Sequence, residues 1–312
     1  MTPLTKCLLL PIDGTEEALR PVELLRRLYS DPSLVTIILC YFAPQLPPAY
    51  RGELNFPDQL KKKQELMKSR EQGTRSALDQ ARKALAKAGF SSHTTEEYIL
   101  EKQTSKAKDA CLLADRKKVD AVLVQKRVTS SLEGFLMADP THELLRHCMA
   151  NPLWLVEGTV EISRAAICIS NESASLRAAD HAAFMLAGTN TRVVLLHAAR
   201  TISEPTSSPA THTIAALEKW LMTPEGRQMR PFLEESDAIL KREGIADASI
   251  QFTVIPSQGR AAQEILDYCR KEDIGIIVLG HTQPTGIKGF LKGSVTKKIL
   301  AELKNMTVWV VQ

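Results

Sequence analysis

A chain of 312 residues with 44% hydrophobic and 24% charged content and a net charge of +4 has the composition of an ordinary globular protein, long enough for two cores. That balance does not suggest a nucleic-acid surface. The basic run Lys61-Lys62-Lys63 sits among Leu60, Leu66 and Met67 and reads as the solvated face of a helix. No stretch approaches the roughly 18 apolar residues of a membrane span, and the first apolar run ends at Asp13, unlike a signal peptide.

In chain order, Lys6 to Ile12 reads as an apolar strand and Glu16 to Tyr29 as a helix. Strand Val35 to Cys40 follows, apolar on both faces at Ile37-Ile38-Leu39 as in a buried parallel sheet. After the Pro-containing loop Ala43 to Pro57 comes a charged amphipathic helix, Asp58 to Ala88. Then come strand Thr94 to Leu100, helix Ser105 to Lys117 and strand Ala121 to Val124. Further on, the order repeats. Strand Arg164 to Ile169, helix Ala174 to Leu186 and strand Arg192 to His197 precede a Pro-containing loop, Ala199 to Thr213. Helix Arg230 to Arg242, strand Ser249 to Ile255, helix Ala261 to Lys271 and strand Gly275 to Leu279 complete the series.

The repeat is visible in residues as well as in pattern. Gly134-Phe135-Leu136 recurs as Gly289-Phe290-Leu291, and Trp154 recurs as Trp309 at the same offset. Leu19-Arg20 recurs as Leu176-Arg177 at nearly that offset. A repeat of this length is a domain, so the chain divides into residues 1–158 and 163–312. Alternating strands and helices predict a mostly parallel sheet with helices on both faces in each domain. Ligands in such sheets bind beyond the carboxyl ends of the strands, where strand order reverses. The last strands, holding Trp154 and Trp309, are the natural edges for pairing the domains into an internal pseudo-dimer.

The most informative segment follows strand Gly275 to Leu279. It runs Gly280-His281-Thr282-Gln283-Pro284-Thr285-Gly286 and restarts as a helix at Gly293-Ser294-Val295. Unpaired N–H groups and the dipole at a helix start favour an anion, and glycine lets backbone approach a phosphate. A Walker A loop needs a Lys before the Ser, and a dinucleotide fingerprint needs Gly-x-Gly-x-x-Gly after the first strand; both are absent. Gly293-Ser294 is equally suited to capping a helix.

The spacing resembles that of the universal stress protein family, whose nucleotide-binding members carry Gly-x-x-Gly, nine residues, then Gly-Ser or Gly-Thr. Gly280, Gly293, Ser294 and Val295 match; Gln283 replaces the second glycine. The opening Pro11-Ile12-Asp13-Gly14-Thr15-Glu16 is also similar to the family's. The resemblance covers nearly the whole chain, once per half. It implies two tandem open, mostly parallel five-stranded sheets flanked by helices, related to adenine-nucleotide alpha-hydrolase-like folds. It implies nucleotide contacts at Ser170, Ala198, Gly280, His281, Gly286, Gly293, Ser294 and Val295, for ATP or AMP, with Mg²⁺ if the ligand is ATP.

The first domain retains Pro11, Asp13 and Gly14 as a vestigial site, because Gln125 stands where the second domain has Gly280, and Ala138-Asp139-Pro140 where it has Gly293-Ser294-Val295. Asp139 would repel phosphate, and Pro140 removes a donor. Asp13 is equally suited to helix capping. The second domain has Ser170 in place of Asp13, which weakens binding by about 1–2 kcal/mol. His197, at the end of a strand, reads as structural, and its first-half counterpart is Cys40. His142 and His147 flank a helix without a metal-like partner set, and no catalytic constellation is evident.

The six cysteines are scattered, with Cys111, Cys148 and Cys269 placed in helices, and read as buried reduced thiols of a cytoplasmic protein. The functional expectation is a cytoplasmic regulator of stress physiology with little turnover, binding adenine nucleotide in its second domain. The alternatives are an interaction protein that binds no nucleotide, and a binder of another small-molecule or lipid-like ligand. The protein partner, and whether the whole chain pairs with a second copy, are left open.

Overall fold

The computed structural model describes residues 5–53, 55–101, 105–126, 148, 150–209, 214–281 and 295–312. The first half contains β1 (Lys6–Ile12), α1 (Pro21–Leu28), β2 (Val35–Ala43), α2 (Pro57–Lys87) and β3 (Thr95–Glu101). It continues with α3 (Lys106–Lys117), β4 (Ala121–Gln125) and β5 (Leu153–Glu157). The second half contains β6 (Arg164–Cys168), α4 (Ser173–Leu186), β7 (Arg192–Ala199), β8 (Thr206–Pro209), α5 (Ala215–Leu221) and α6 (Pro224–Arg242). It closes with β9 (Ile250–Pro256), α7 (Ala261–Lys271), β10 (Ile276–Gly280), α8 (Val295–Ala301) and β11 (Met306–Val311).

The strands form one sheet in the order β3-β2-β1-β4-β5-β11-β10-β6-β7-β9-β8. Each half contributes the expected five-stranded parallel arrangement. The halves meet where β5 pairs antiparallel with β11, Trp154 opposite Trp309. The eleventh strand, β8, lies antiparallel on the outer edge of β9, within the stretch the sequence presents as a Pro-containing loop.

Burial explains the continuous apolar runs. Leu8, Leu9 and Leu10 of β1 are fully buried, and alternate residues feed two cores, one on each face of the sheet. Burying each such side chain stabilises the fold by about 1.5–3 kcal/mol. The pseudo-symmetry extends to backbone detail. Lys118 and Asp273 both adopt φ of 51° just past α3 and α7, turning the chain into β4 and β10.

Contacts between the halves reach beyond the strands. Lys6 donates to the carbonyl of Ala187, the hydroxyl of Tyr29 to that of Met185, and Arg27 to that of Val160. The halves thus form the internal pseudo-dimer expected from their edges.

Two local expectations are corrected. Asp13 caps no helix: its carboxylate accepts from the amide and hydroxyl of Thr15 at 3.0 and 2.6 Å, a turn closed before the first helical residue. The cysteines are not all reduced: Cys111 on α3 and Cys148, which lies in no helix, form a disulfide with Cα atoms 5.0 Å apart. The fold brings the inner face of α3 against the segment entering β5. The second half meets the same packing problem with Leu266 and Leu303, both buried in the core on that face. Cys7, Cys40, Cys168 and Cys269 remain thiols, and burial pushes those of Cys40 and Cys168 up to about 12. Among the described residues no helix is long and apolar enough to cross a membrane.

Candidate functional site

Strand order reverses between β6 and β10, whose neighbours on the other sides are β7 and β11. The carboxyl ends of β6, β7 and β10 therefore open a crevice of the kind that holds ligands in such sheets. The described candidates gather there: Ser170 just beyond β6, Ala198 near the end of β7, Gly280 at the end of β10 and His281 beside it. Gly286, Gly293 and Ser294 lie outside the described residues. Val295 opens α8 and is 38% exposed, while Thr296 and Ile299 on the same helix are buried.

Ser170 is exposed, and its carbonyl accepts from the hydroxyl of Ser175 at 2.7 Å, fixing the entry into α4. Gly280 is demanded by this entry. A Cβ there would lie 2.1 Å from the carbonyl oxygen of Ala174 and 2.7 Å from the amide nitrogen of Ser175. The backbones of β10 and α4 touch, so the glycine has a packing reason independent of any ligand. In the first half a 3-10 turn, Glu17–Leu19, precedes α1, and Gln125 occupies the corresponding position. The Gln125 side chain donates to the carbonyl of Lys126, while its oxygen is buried without a partner.

The amide of His281 donates to the carbonyl of Val311 at 2.7 Å, extending the β10–β11 ladder. Burial holds the His281 imidazole below its usual pKa, so it is neutral at pH 7 and offers a hydrogen bond rather than a positive charge. Ala198, opposite Ile255, packs against the core on the α7 face. Apart from the His281 imidazole, these candidates are a glycine and residues with small side chains, Ser170 and Ala198.

At the end of β7 lies a polar cluster the sequence did not reveal. His197 Nδ1 contacts the carbonyl of Ile169 at 2.9 Å, tying β7 to β6, and its Nε2 faces Glu225 at 3.8 Å. Glu225 accepts from the amides of Arg200 and Thr201 and from the Thr201 hydroxyl. Burial raises the Glu225 carboxyl pKa, but these bonds and the neighbouring imidazole outweigh it and hold the group below the usual range. The Trp220 indole donates to Thr201 at 3.2 Å and tilts over His197 at 5.5 Å. Gly226 makes this fold-back feasible, since a Cβ there would lie 2.1 Å from the carbonyl oxygen of Trp220. His197 is thus structural, as its strand position suggests. Glu225 and Trp220 carry no sequence signal beyond their place before and within α6.

In the first domain Pro11 sits on β1 opposite Cys40, and Gly14 adopts φ of 84° with its Cα turned towards Ala77 of α2. Asp13 is engaged in its own turn. The two sites therefore differ at one strand end: β10 ends in Gly280 against the α4 backbone, whereas β4 ends in Gln125, whose side chain bonds the Lys126 carbonyl.

Two parallel α/β units of matching strand order, joined edge to edge, define a tandem α/β protein by architecture. A profile of the universal stress protein family matches residues 5–156 and again 161–312, so the chain belongs to that family as a tandem member. One relative is the universal stress protein YxiE of Bacillus subtilis, 24% identical over 156 residues, which span 47% of this chain and 96% of the relative. Among solved structures, a universal stress protein from Archaeoglobus fulgidus superposes with a TM-score of 0.62 at 12% identity, covering 99% of this chain and 97% of that one. A functionally unknown protein from Pseudomonas aeruginosa gives 0.57 at 13% identity, covering 98% and 92%. At such identities the solved structures establish the fold alone.

Proposed function

We propose that this protein is a regulator of stress physiology whose second domain binds an adenine nucleotide, ATP or AMP, at the crevice between β6 and β10. The observation that carries the reading is the contrast at the two switch points. The second is bounded by the bare backbone of Gly280 beside exposed Ser170, whereas the first has the side chain of Gln125 at the corresponding strand end, bonded to the Lys126 carbonyl. Backbone N–H groups beyond Gly280, through Gly286 and Gly293-Ser294-Val295, would hold the phosphates, and Ser170 and Ala198 would border the nucleoside. Mg²⁺ would accompany ATP through the phosphates. The reading is of a ligand-responsive protein with little turnover; the neutral His281 imidazole is a side chain at the crevice able to act as a base, and a His281→Ala variant that keeps any residual hydrolysis would exclude it from that role. The cytoplasmic setting belongs to this proposal with one condition, since a disulfide such as Cys111–Cys148 persists chiefly in oxidising compartments.

A second reading is supported by Gly280 itself. Its need for space is met entirely by Ala174 and Ser175, and Ser170 replaces the carboxylate of Asp13. On that reading the crevice is a structural remnant and the protein acts through its surfaces. Calorimetric titration with ATP, against a Gly293→Asp variant, separates the two readings.

A further inference from the structure

The two ends of the sheet are finished differently. In the second domain the outer edge of β9 is covered by β8, paired from Thr206 opposite Val254 to Pro209 opposite Gln251. Above it α5 folds back and buries Leu217, Trp220 and Leu221. In the first domain β3 occupies the same place in the strand order, yet among the described residues no strand covers its outer edge.

The helix above β3 differs too. α2 is continuous for 31 residues, and its buried positions, Thr74, Ala77, Leu78, Ala81 and Leu85, all fall in its second half. In the turns before Thr74 no residue is fully buried, and Leu66 is half-buried. They carry Leu60 and Met67 at 43% and 52% exposure, preceded by Phe56 at 67%, and Ile99 of β3 is 54% exposed. These are four of the eight exposed large hydrophobic residues identified in the described chain. Between α2 and β3 runs a groove of about 620 Å³, with Ala43, Met67, Leu78 and Ile99 among its walls.

The charges of this edge favour pairing. Edge strands commonly carry charges that discourage it. Here each carboxylate of β3 is matched by a cation of its own chain: Glu96 by Lys117 at 3.0 Å, Glu97 by Arg82 at 2.6 Å, and Glu101 by Arg70. The groove's own lining holds Lys68, Arg70 and Arg75 against one carboxylate, Glu71. Arg75 pairs with Glu71, whereas Lys68 makes no ion pair among the described residues. The rim is therefore net positive.

We propose that the groove between α2 and β3 is a docking site for an extended segment of a partner protein. The segment pairs antiparallel with β3, places apolar side chains between Met67 and Ile99, and carries acidic residues that meet Lys68 and its neighbours. Strand addition supplies main-chain hydrogen bonds for affinity, and alternate side chains entering the groove supply selectivity. The partner would do for the first domain what β8 and α5 do for the second.

The test is selection of a phage-displayed random peptide library on the full-length protein, followed by titration of the selected synthetic peptides. Wild type is compared with Ile99→Lys, Lys68→Glu and, as a control on the second domain, Met222→Lys. Ile99 and Met222 are more than half exposed, so these changes leave the cores intact, which circular dichroism checks. The expected result is enrichment of peptides with alternating apolar residues flanked by Asp or Glu. Their affinity falls at least tenfold with Ile99→Lys and with Lys68→Glu, and is unchanged with Met222→Lys. Failure to enrich any peptide, or binding that ignores Ile99→Lys, overturns the proposal. So does a concentration-dependent dimer in sedimentation that Ile99→Lys abolishes, which would give the groove to a second copy of the chain.

Discussion

The indole rings of Trp154 and Trp309 are stacked, centroids 3.7 Å apart and planes within 2°. Each is fully buried, and each lies on the terminal strand of its half, at the point where β5 meets β11. A large apolar side chain truncated at such a site costs about 3–5 kcal/mol. Trp309→Ala is therefore expected to lower the unfolding midpoint and to uncouple the halves, so that wild type melts in one transition and the variant in two. Differential scanning calorimetry reads both. A variant that melts as cooperatively as wild type would show that the Trp pair does not bind the halves together.

His181 completes this cluster. Its Nε2 accepts from the Trp154 indole at 2.9 Å, and its ring stands edge-on to both tryptophans. Burial pushes its pKa down to about 3 from an ordinary 6.5, although part of the residue reaches the surface. The unfolded chain takes up the proton near pH 6.5 and the folded chain does not. Stability from this group is thus intact above pH 6.5 and declines as pH falls towards 3, by up to about 1.4 kcal/mol per pH unit. His181→Gln keeps an acceptor without titrating. It should lose less stability than wild type between pH 6.5 and 4 in urea unfolding; parallel losses would refute a buried neutral imidazole.

The Cys111–Cys148 disulfide spans a sequence separation of 37, and closing a loop of that length stabilises a fold by about 2–4 kcal/mol. Adding reductant should lower the unfolding midpoint of wild type. Replacing both cysteines by leucine, the pair the second domain uses at Leu266 and Leu303, should abolish the sensitivity to reductant. Free-thiol titration of the denatured protein should find four thiols before reduction and six after, matching the cysteines left unpaired and the total.

Gly280 and Ser170 separate packing from binding. Gly280→Ala forces a Cβ against Ala174 and should destabilise the protein by about 1–3 kcal/mol whether or not nucleotide is present. Ser170→Asp restores the carboxylate that the first domain carries at Asp13. It should tighten ATP binding about tenfold while leaving the thermal midpoint of the free protein nearly unchanged.

Much of this molecule was legible in the sequence because its information is local and periodic. The apolar runs of β1, β2, β6 and β10, and the recurrence of Trp154 as Trp309, point to two parallel units joined at their last strands. What escaped is non-local or polar. β8, with the sequence Thr-Ser-Ser-Pro, has no apolar alternation and exists only because β9 offers it an edge. The Cys111–Cys148 bond depends on packing across a long separation. Gly280 read as an invitation to phosphate, whereas contact with the Ala174 backbone already requires it. Gln125, in contrast, was readable as the residue standing where the second domain has Gly280.

The most direct measurement is calorimetric titration of ATP, with and without Mg²⁺, into wild type and Gly293→Asp. Saturable binding at about one site per chain, lost in the variant, is the predicted result and would place the nucleotide in the second domain. Absence of binding up to millimolar ATP, or binding that survives Gly293→Asp, would contradict it.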